Sequence, residues 1–325
     1  MPPEDQAQAV VVTEPASVKF LKNIREQAGH LDWDFSRPNR VSAPGDGTLT
    51  AEAGVLKTLK LEKAGLAGEL VIEGRAALDW LSLKGNRLTA VEFKNLPNLG
   101  GFEIVDGHLT SLTFGGGLGR LNWGAEVEAP NLARLVISSR NRLSELYIKA
   151  SRLEDLSPLA RLKRLAVLQV KSDSLSDLSP LAGCSFPDLS LESPLLGDLW
   201  PLRRLKYQRG LNALYLAGGL ISDLRPLIYL RNTLHELDVV SPVLSDLSPL
   251  ARLTKLYILG VFSDAVTDLS HLAGLHRLTD LVLEGRGMRD FTPLAKLEKN
   301  LHWEIINGRQ LKGGESGEHV QDQIQ

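Results

Sequence analysis

The sequence predicts a mostly β, α/β repeat solenoid of about 12 coils, with a parallel sheet on a concave face. Short helical or extended segments are expected on the convex face. Leucine accounts for 63 of the 325 residues, which indicates that one structural position is repeated many times. In addition, a pentapeptide and a strand pattern recur in a common register through the second half of the chain.

The pentapeptide Asp-Leu-x-Pro-Leu marks one segment of each downstream coil. It begins at Asp155, Asp177, Asp198, Asp223 and Asp246, with variants at Asp268 and Asp290. The steps between these positions are 22, 21, 25, 23, 22 and 22 residues. Proline lacks an N–H and has a fixed backbone angle, so the segment favours a short helical turn or an extended return over a strand.

The pattern L-x-x-L-x-L follows about ten residues after each pentapeptide, for example at Leu256, Leu259 and Val261. Side chains alternate along a strand, so the two apolar residues of the L-x-L part point to one face and the residue between them points outward. Stacked coils then bury a continuous leucine core that no single coil could form.

Upstream of residue 150 the same strand pattern appears at steps of about 10 or 11 residues, which fits two strand-like segments into each coil. Alternate members join the downstream series in phase and are expected in one sheet; they begin at residues 56, 78, 99, 118 and 143. The others are expected on the opposite side; they begin at residues 67, 88, 109 and 132. An antiparallel meander would give similar steps and stays open as an alternative.

Two stretches carry a resemblance to a known family. Leu78 to Phe93 (LDWLSLKGNRLTAVEF) resembles a bacterial leucine-rich repeat of the short-coil kind, and Asp246 to Val261 (DLSPLARLTKLYILGV) resembles the internalin-type repeat. The resemblance covers about residues 55–307. It implies a right-handed solenoid and a role in protein recognition. The family's asparagine, three residues past the last strand leucine, is present as Asn86 but is replaced in later coils, for example by Asp264.

These patterns divide the chain into four parts. Residues 1–16 are expected to be a flexible N-terminus, and residues 17–50 an N-terminal helical cap. Within the cap, Ser17–Gly29 is predicted as a helix, with the serine at its start and the glycine at its end. The solenoid is expected over 51–307, with short two-strand coils over 51–150 and internalin-like coils over 151–307. Residues 308–325 are expected to be a flexible tail.

Charge and composition narrow the class of function. The formal net charge is −2, which argues against a nucleic-acid binder because phosphates require an excess of Lys and Arg. The single cysteine excludes an internal disulfide. No apolar run approaches the length of a membrane helix, and the N-terminus lacks a signal-peptide pattern. We therefore expect a cytoplasmic protein with no membrane contact.

The outward positions of the predicted strands form the candidate partner-binding surface, where acids outnumber bases and large aromatic residues are present. Aromatic anchors within a charged surface are typical of protein-binding hot spots, and an acidic field would speed encounter with a basic partner. Solubility alone would also require polar residues there. The candidate residues are Tyr147, Lys149, Asp188, Glu192, Tyr215, His235, Glu236, Asp238, Tyr257, Phe262, Asp280, Glu284, His302 and Trp303. Among the outward strand positions of the downstream coils, Lys171 is the one lysine.

Glycine-rich and histidine patterns do not indicate phosphate or metal chemistry. The run from Gly115 to Gly119 lacks the Lys and the helix pattern of a phosphate loop, so a turn between coils is expected. His271 and His276 have no second pair of ligands nearby in the sequence, which argues against zinc. We predict no metal and no cofactor.

The sequence gives equally weak indications of a catalytic site. His235, Glu236 and Asp238 could imitate an acid–base cluster, but neighbours on an open strand form no cleft, so a solvated surface is expected. Cys184 has no histidine patterned near it and is predicted to be a buried structural thiol. No catalytic residue is therefore predicted.

The sequence thus predicts a protein–protein interaction scaffold that binds a partner with a basic patch on its concave face. Within this class, an inhibitor or immunity protein of a toxin or enzyme is one hypothesis, by analogy alone. A surface adhesin or structural repeat protein is the alternative, and an enzyme is the least favoured class. The partner's identity and the oligomeric state are left open.

Overall fold

The computed structural model describes most of the chain between residues 58 and 297. The described residues are 10–12, 31–33, 39–43, 47–51, 58–63, 66–73, 78–118, 120–121, 124–138, 142–162, 165–207, 210–297, 301, 303–306 and 309–312. They belong to two compact units, Met1–Ser174 and Leu175–Gln325. Both units have cores built largely of fully buried leucines.

The first unit is almost entirely β-structure. In chain order its elements are β1 (Val10–Val12), β2 (Leu31–Trp33), β3 (Asn39–Ala43), β4 (Gly47–Ala51), β5 (Thr58–Leu61), β6 (Ala67–Glu73), β7 (Trp80–Lys84), β8 (Arg87–Lys94), β9 (Gly101–Val105), β10 (Ser111–Phe114), β11 (Arg120–Leu121), β12 (Ala125–Glu128), β13 (Arg134–Ile137), β14 (Arg142–Leu143), β15 (Glu145–Lys149), the 3₁₀ helix η1 (Ser157–Arg161) and β16 (Val167–Lys171).

The strands of the first unit form two sheets between which the chain alternates. One sheet has the order β2-β5-β7-β9-β12-β15-β16, and the other has the order β13-β10-β8-β6-β1-β3-β4. Pairing from β5 to β16 and from β6 to β13 is parallel. The upstream coils therefore carry strands on both sides, and the meander alternative is excluded because a meander pairs antiparallel.

The two sheets enclose a core with an aromatic centre. Phe93, Phe102 and Phe114 are fully buried, and their ring centroids lie 5.0 to 6.0 Å apart in tilted arrangements. Rings at this separation and tilt attract each other beyond their area of burial. One ring comes from a strand of the first sheet and two from the second, so the cluster holds the two sheets together.

The second unit replaces the second sheet with short 3₁₀ helices. In chain order its elements are η2 (Ser179–Gly183), β17 (Asp188–Ser193), η3 (Trp200–Tyr207), β18 (Ala213–Gly218), η4 (Arg225–Leu230), β19 (Glu236–Val240), η5 (Ser248–Arg252), β20 (Ile258–Phe262), η6 (Ser270–Leu272), β21 (Asp280–Glu284), η7 (Thr292–Lys296), β22 (Trp303–Ile306) and β23 (Arg309–Lys312). The strands β17 to β22 pair in parallel and in sequence order, as the leucine pattern predicts.

The aspartate of the pentapeptide turns the chain into each 3₁₀ helix. The Ser248 N–H donates to Asp246 Oδ1 at 2.8 Å, and the same bond to the residue two positions on occurs at the other six aspartates. A side chain that satisfies a free backbone donor in this way favours a turn over continued strand. Proline follows near the start of every one of these helices except η6, where His271 takes its place; the missing N–H of proline costs nothing there.

Buried serines link successive coils where the sequence resemblance implies an asparagine ladder. Ser263 Oγ donates to the Leu244 carbonyl at 2.7 Å, and Ser241 Oγ donates to the Ile221 carbonyl at 2.8 Å. Ser172 makes the equivalent bond to Leu153 in the first unit. These residues lie two positions past the last apolar strand residue, one position earlier than Asn86. The inter-coil bond is therefore kept with a smaller side chain.

The strand between β9 and β15 in the first sheet differs from the prediction. The pattern beginning at residue 118 was expected to supply it, but β12 pairs with β9 and β15 instead, with Ala125 opposite Phe102 and Val127 opposite Ile104. Residues 120–121 pair only with β14. The leucine pattern misses β12 because its first inward residue is an alanine, fully buried all the same.

The predicted ends of the solenoid also need correction. The expected flexible N-terminus contains β1, which pairs with β6 and β3; three consecutive valines favour a strand. The expected helical cap over 17–50 contains β2, β3 and β4, while its predicted helix Ser17–Gly29 lies outside the described residues.

The C-terminal end differs in the same way. Within the expected tail, β23 pairs antiparallel with β22 and so supplies partners for an otherwise open strand edge. In β22 the backbone of Glu304 pairs with Leu281, the register that the strand pattern predicts. The rest of the tail lies outside the described residues.

Candidate functional site

The outward positions of β17 to β21 form a surface that we call the acidic face. Backbone register aligns them in three rows across the strands. The first row is Asp188, Ala213, Glu236, Ile258 and Asp280. The middle row is Ser190, Tyr215, Asp238, Gly260 and Val282. The last row is Glu192, Ala217, Val240, Phe262 and Glu284.

The acidic face contains six carboxylates and no lysine or arginine at these positions. In the first unit the equivalent surface is balanced: Lys149 Nζ lies 2.7 Å from Glu128 Oε1, and Lys84 pairs with Glu103. No two of the six acids are directly opposite each other in adjacent strands, the arrangement that destabilises a sheet most. The acids still repel one another, because the Glu236 charge contributes to the raised pKa of Asp188 and of Asp238.

A hydrogen-bonded chain connects the first row. Tyr257 Oη donates to Glu236 Oε1 at 2.5 Å, and this bond raises the pKa of Tyr257 to about 12, with burial and the Glu236 charge contributing. The Asn212 side chain hydrogen-bonds both Tyr257 and Asp188. Burial, followed by the Glu236 charge, raises the pKa of Asp188, against the hydrogen bond from Asn212. These contacts fix the carboxylates in place.

The next coils extend this row. Thr279 Oγ1 lies 2.6 Å from Asp280 Oδ2, so the threonine orients a third carboxylate. The His235 ring lies 5.9 Å from the Tyr257 ring, and its buried Nδ1 has no hydrogen-bond partner among the described residues. The row thus combines fixed acids with an aromatic pair.

Asp238 occupies the centre of the face and is strongly perturbed. Burial raises its pKa to about 6, the Glu236 charge adds to the rise, and a hydrogen bond from the Gly260 N–H opposes it. A Cβ placed on Gly260 would lie only 2.1 Å from Asp238 Oδ1. The glycine therefore provides the space in which this carboxylate lies against the sheet.

Tyr215 lies beside Asp238 in the middle row. Burial raises the pKa of Tyr215, with the charges of Glu192 and Asp238 contributing. Its hydroxyl can act as a hydrogen-bond donor and as an acceptor. The middle row offers a partner one acid and one phenol side by side.

The structure brings together most of the predicted partner-binding residues but not all of them. Those of β17 to β21, together with His235 and Tyr257 just before their strands, share the acidic face. Tyr147 and Lys149 belong to β15 of the first unit, where Tyr147 Oη donates to Glu145 at 3.1 Å. His302 lies outside the described residues, and of Trp303 only the backbone is described, paired with Asp280.

Sequence reasoning missed Asn212, Thr279 and Gly260. The first two precede the strand leucine by two positions, the same place as His235 and Tyr257, so position alone could have indicated them. The role of Gly260 could not be predicted because glycine has no functional side chain. Its role emerges only from the close approach of Asp238.

The weak catalytic patterns have structural explanations. Gly116 and Gly117 form a turn, with Gly117 in the left-handed region at φ 84°; Gly119 lies outside the described residues. Cys184 is buried, as predicted, and burial raises its pKa to about 11. His271 lies 3.6 Å from Asp268. Within the described ranges no group of three or more His, Cys, Asp or Glu is placed to hold a metal ion.

None of the helices in the described part of the chain has the length and apolar character needed to cross a membrane. The repeating unit of strand, turn and return segment is that of a leucine-rich repeat. The chain is therefore built on the leucine-rich-repeat fold, as the sequence predicts.

Comparison with known proteins gives matches among solved structures alone. No family model and no curated protein matches the chain. It is similar to internalin C2 of Listeria monocytogenes, with 21% identity and a TM-score of 0.39 over 88% of this chain and 91% of that one. A Listeria monocytogenes internalin F shares 20% identity, TM-score 0.37, over 75% and 85%. A leucine-rich repeat protein of Leptospira interrogans shares 17% identity, TM-score 0.40, over 70% and 71%.

Proposed function

We propose that this protein is an interaction scaffold that binds a basic partner protein on the acidic face. The observation that carries the proposal is the segregation of charge: the outward positions of β17 to β21 hold six acids and no lysine or arginine. Repeat proteins of this architecture use extended strand surfaces for binding. A partner's lysines and arginines would relieve the repulsion that these acids impose on the sheet.

The mechanism we propose is rigid complementarity with electrostatic steering. The Tyr257–Glu236 bond and the contacts of Asn212 hold the first-row groups in position before binding. A surface ordered in advance lowers the entropic cost of association. An uncompensated acidic field also raises the association rate with a basic partner and makes that rate sensitive to salt.

A finer form of the proposal is an inhibitor or immunity protein that covers a basic surface of a toxin or enzyme. Five strands at about 4.8 Å spacing span about 19 Å, enough to cover a loop or an extended segment. The pull-down described next identifies the partner, and the partner's activity then decides between this role and that of a scaffold without inhibitory effect.

The test is a pull-down from host lysate read by mass spectrometry. The wild-type chain is compared with a charge reversal of Glu236, Asp238, Asp280 and Glu284 to lysine. A second variant carries Gln or Asn at the same four positions and keeps the shape of the surface. Both are checked for folding by circular dichroism.

A matched control reverses four exposed acids of the first unit, so that net charge changes equally. These are Glu69, Glu126, Glu154 and Asp173. We expect one basic protein to be captured by the wild type and by this control, to be lost with both acidic-face variants, and to be weakened at about 0.3 M salt. Equal capture by all four proteins would refute the proposal.

A further inference from the structure

An open groove lies where β19, β20 and β21 pass into their turns. Its volume is about 610 Å³. It spans the last row of the acidic face and the turn residues that follow. The lining residues are Val240, Pro242, Phe262, Ser263, Asp264, Glu284, Gly285 and Arg286.

The groove combines an apolar surface with one uncompensated acid. Val240 and Phe262 come from adjacent strands in register, and the Glu284 backbone pairs with Phe262 in the next strand. The Glu284 carboxylate has no hydrogen-bond or ion-pair partner among the described residues. Asp264 is different, because it accepts the Arg286 N–H at 2.8 Å and lies 3.8 Å from that guanidinium.

Three exposed apolar side chains lie in the turns that follow β17, β18 and β19, and the last of these turns also lines the groove. Leu195, Leu220 and Val243 follow β17, β18 and β19 at equivalent positions, and they are 48%, 57% and 46% exposed. We call these three residues the ridge. A contiguous exposed apolar strip beside a charged surface is typical of an interaction site.

We infer that the groove accepts the lysine or arginine side chain of an extended partner segment, while an apolar residue of the same segment packs on the ridge. This inference rests on the proposed function and deepens it, because it names the feature that the basic partner presents. The occupant is identified by charge complementarity to Glu284 and by the apolar character of the rest of the groove.

A long cationic side chain matches the groove better than other groups do. Its methylene stem can lie on Val240 and Phe262 while the charged end reaches the carboxylate. A cation near the Phe262 ring gains further attraction from the aromatic face. An acidic side chain would meet Glu284 at close range, and a purely apolar one would bury that carboxylate without a partner.

The spacing of groove and ridge predicts the spacing in the partner. The groove is centred on β20, and Leu220 follows β18, two coils away. Two coil spacings amount to about 10 Å, and an extended chain advances about 3.3 Å per residue. The cationic and apolar residues of the partner segment should therefore lie about three positions apart.

The experiment selects binders from a random 12-residue peptide library displayed on phage, using the immobilised full chain. Enriched peptides are then synthesised and titrated by fluorescence anisotropy against wild type, Glu284→Gln, Phe262→Ala and Phe262→Leu. Glu154→Gln is the matched control, because it makes the same change at an exposed carboxylate of the first unit that is not part of the acidic face. Circular dichroism melts confirm that each variant is folded.

We expect the enriched peptides to share a Lys or Arg and an apolar residue about three positions apart. Their affinity should fall about fivefold with Glu284→Gln and about tenfold with Phe262→Ala. Phe262→Leu should restore much of the loss because it keeps an apolar surface. Glu154→Gln should change affinity by less than about twofold, since its charge is not part of the groove or of the acidic face.

Three outcomes would overturn the inference. Equal weakening by Glu284→Gln and Glu154→Gln would show attraction to the overall charge of the chain, which refutes the groove inference, while the pull-down still decides the proposed function. Enrichment of peptides without a cation, bound equally by all variants, would refute both the groove inference and the proposed function. If no peptide is enriched, the inference about the groove is refuted, while the pull-down still decides the proposed function.

Discussion

Replacing Asp238 by asparagine should make the folded chain more stable at neutral pH. The ordinary pKa of this carboxyl is 3.8, and burial with the nearby Glu236 raises it to about 6. Each pKa unit corresponds to about 1.4 kcal/mol. At pH 7 the ionised carboxylate therefore destabilises the fold by about 3 kcal/mol, which Asp238→Asn should recover because the amide carbonyl can still accept the Gly260 N–H.

The pH dependence gives the effect a signature. Between pH 4 and 6 the folded chain binds more protons at Asp238 than the unfolded chain does, so stability falls as pH rises through this window. The advantage of Asp238→Asn should accordingly shrink from about 3 kcal/mol at pH 7 to less than about 1 kcal/mol at pH 4. Urea unfolding followed by circular dichroism at several pH values measures it.

A control of opposite sign is available at Asp246. Its carboxylate accepts the Ser248 N–H, and hydrogen bonds from Ser248 lower its pKa. Asp246→Ala should destabilise the chain at pH 7, by on the order of 1 kcal/mol as for the loss of a cap, because alanine has no oxygen to accept the Ser248 N–H. If Asp238→Asn gives no gain at pH 7, or a gain that is equal at pH 4 and pH 7, the reasoning about the central acid is refuted.

Three further predictions concern the coils themselves. Gly285→Ala should destabilise the chain by about 2 kcal/mol or more, because its Cβ would lie 1.8 Å from the Ser263 carbonyl oxygen. Gly274→Ala should be neutral, because there is open space around this glycine. Thermal melts compare the two variants. Ser263→Ala should cost about 1–3 kcal/mol in urea unfolding because the buried Leu244 carbonyl loses its donor, and a change below about 0.3 kcal/mol would contradict the inter-coil role. Cys184, buried with a pKa of about 11, should react slowly with a thiol reagent at pH 8 in the native chain and rapidly in urea, and equal rates would contradict its burial.

Much of the fold was predictable because it depends on leucine. Buried residues such as Leu237, Leu259 and Leu281 lie in adjacent strands in register, and their spacing is visible in the sequence. The strand β12 was missed because Ala125 fills an inward position without looking like a core residue. The serine ladder was missed because a small residue such as Ser263 bonds from one position earlier than the expected asparagine.

The candidate site was predictable in outline but not in detail. Strand alternation places Glu236 and Asp238 outward, and the structure agrees. The sequence could not show that Asp238 lies over Gly260, or that Asn212 links Asp188 to Tyr257, because both depend on contacts between residues more than 20 positions apart. Terminal strands such as β1 and β23 were missed since they lie outside the repeat.

The division of labour within each coil has an evolutionary consequence. Inward leucines, the turn aspartate and the buried serine maintain the architecture, whereas the outward side chains of β17 to β21 lie on the opposite face of each strand from the leucines. Recognition can therefore diversify by substitution at those positions without a matching change in the interior. A combinatorial library confined to them would keep one backbone and sample many specificities, which makes this chain a candidate framework for engineered affinity reagents.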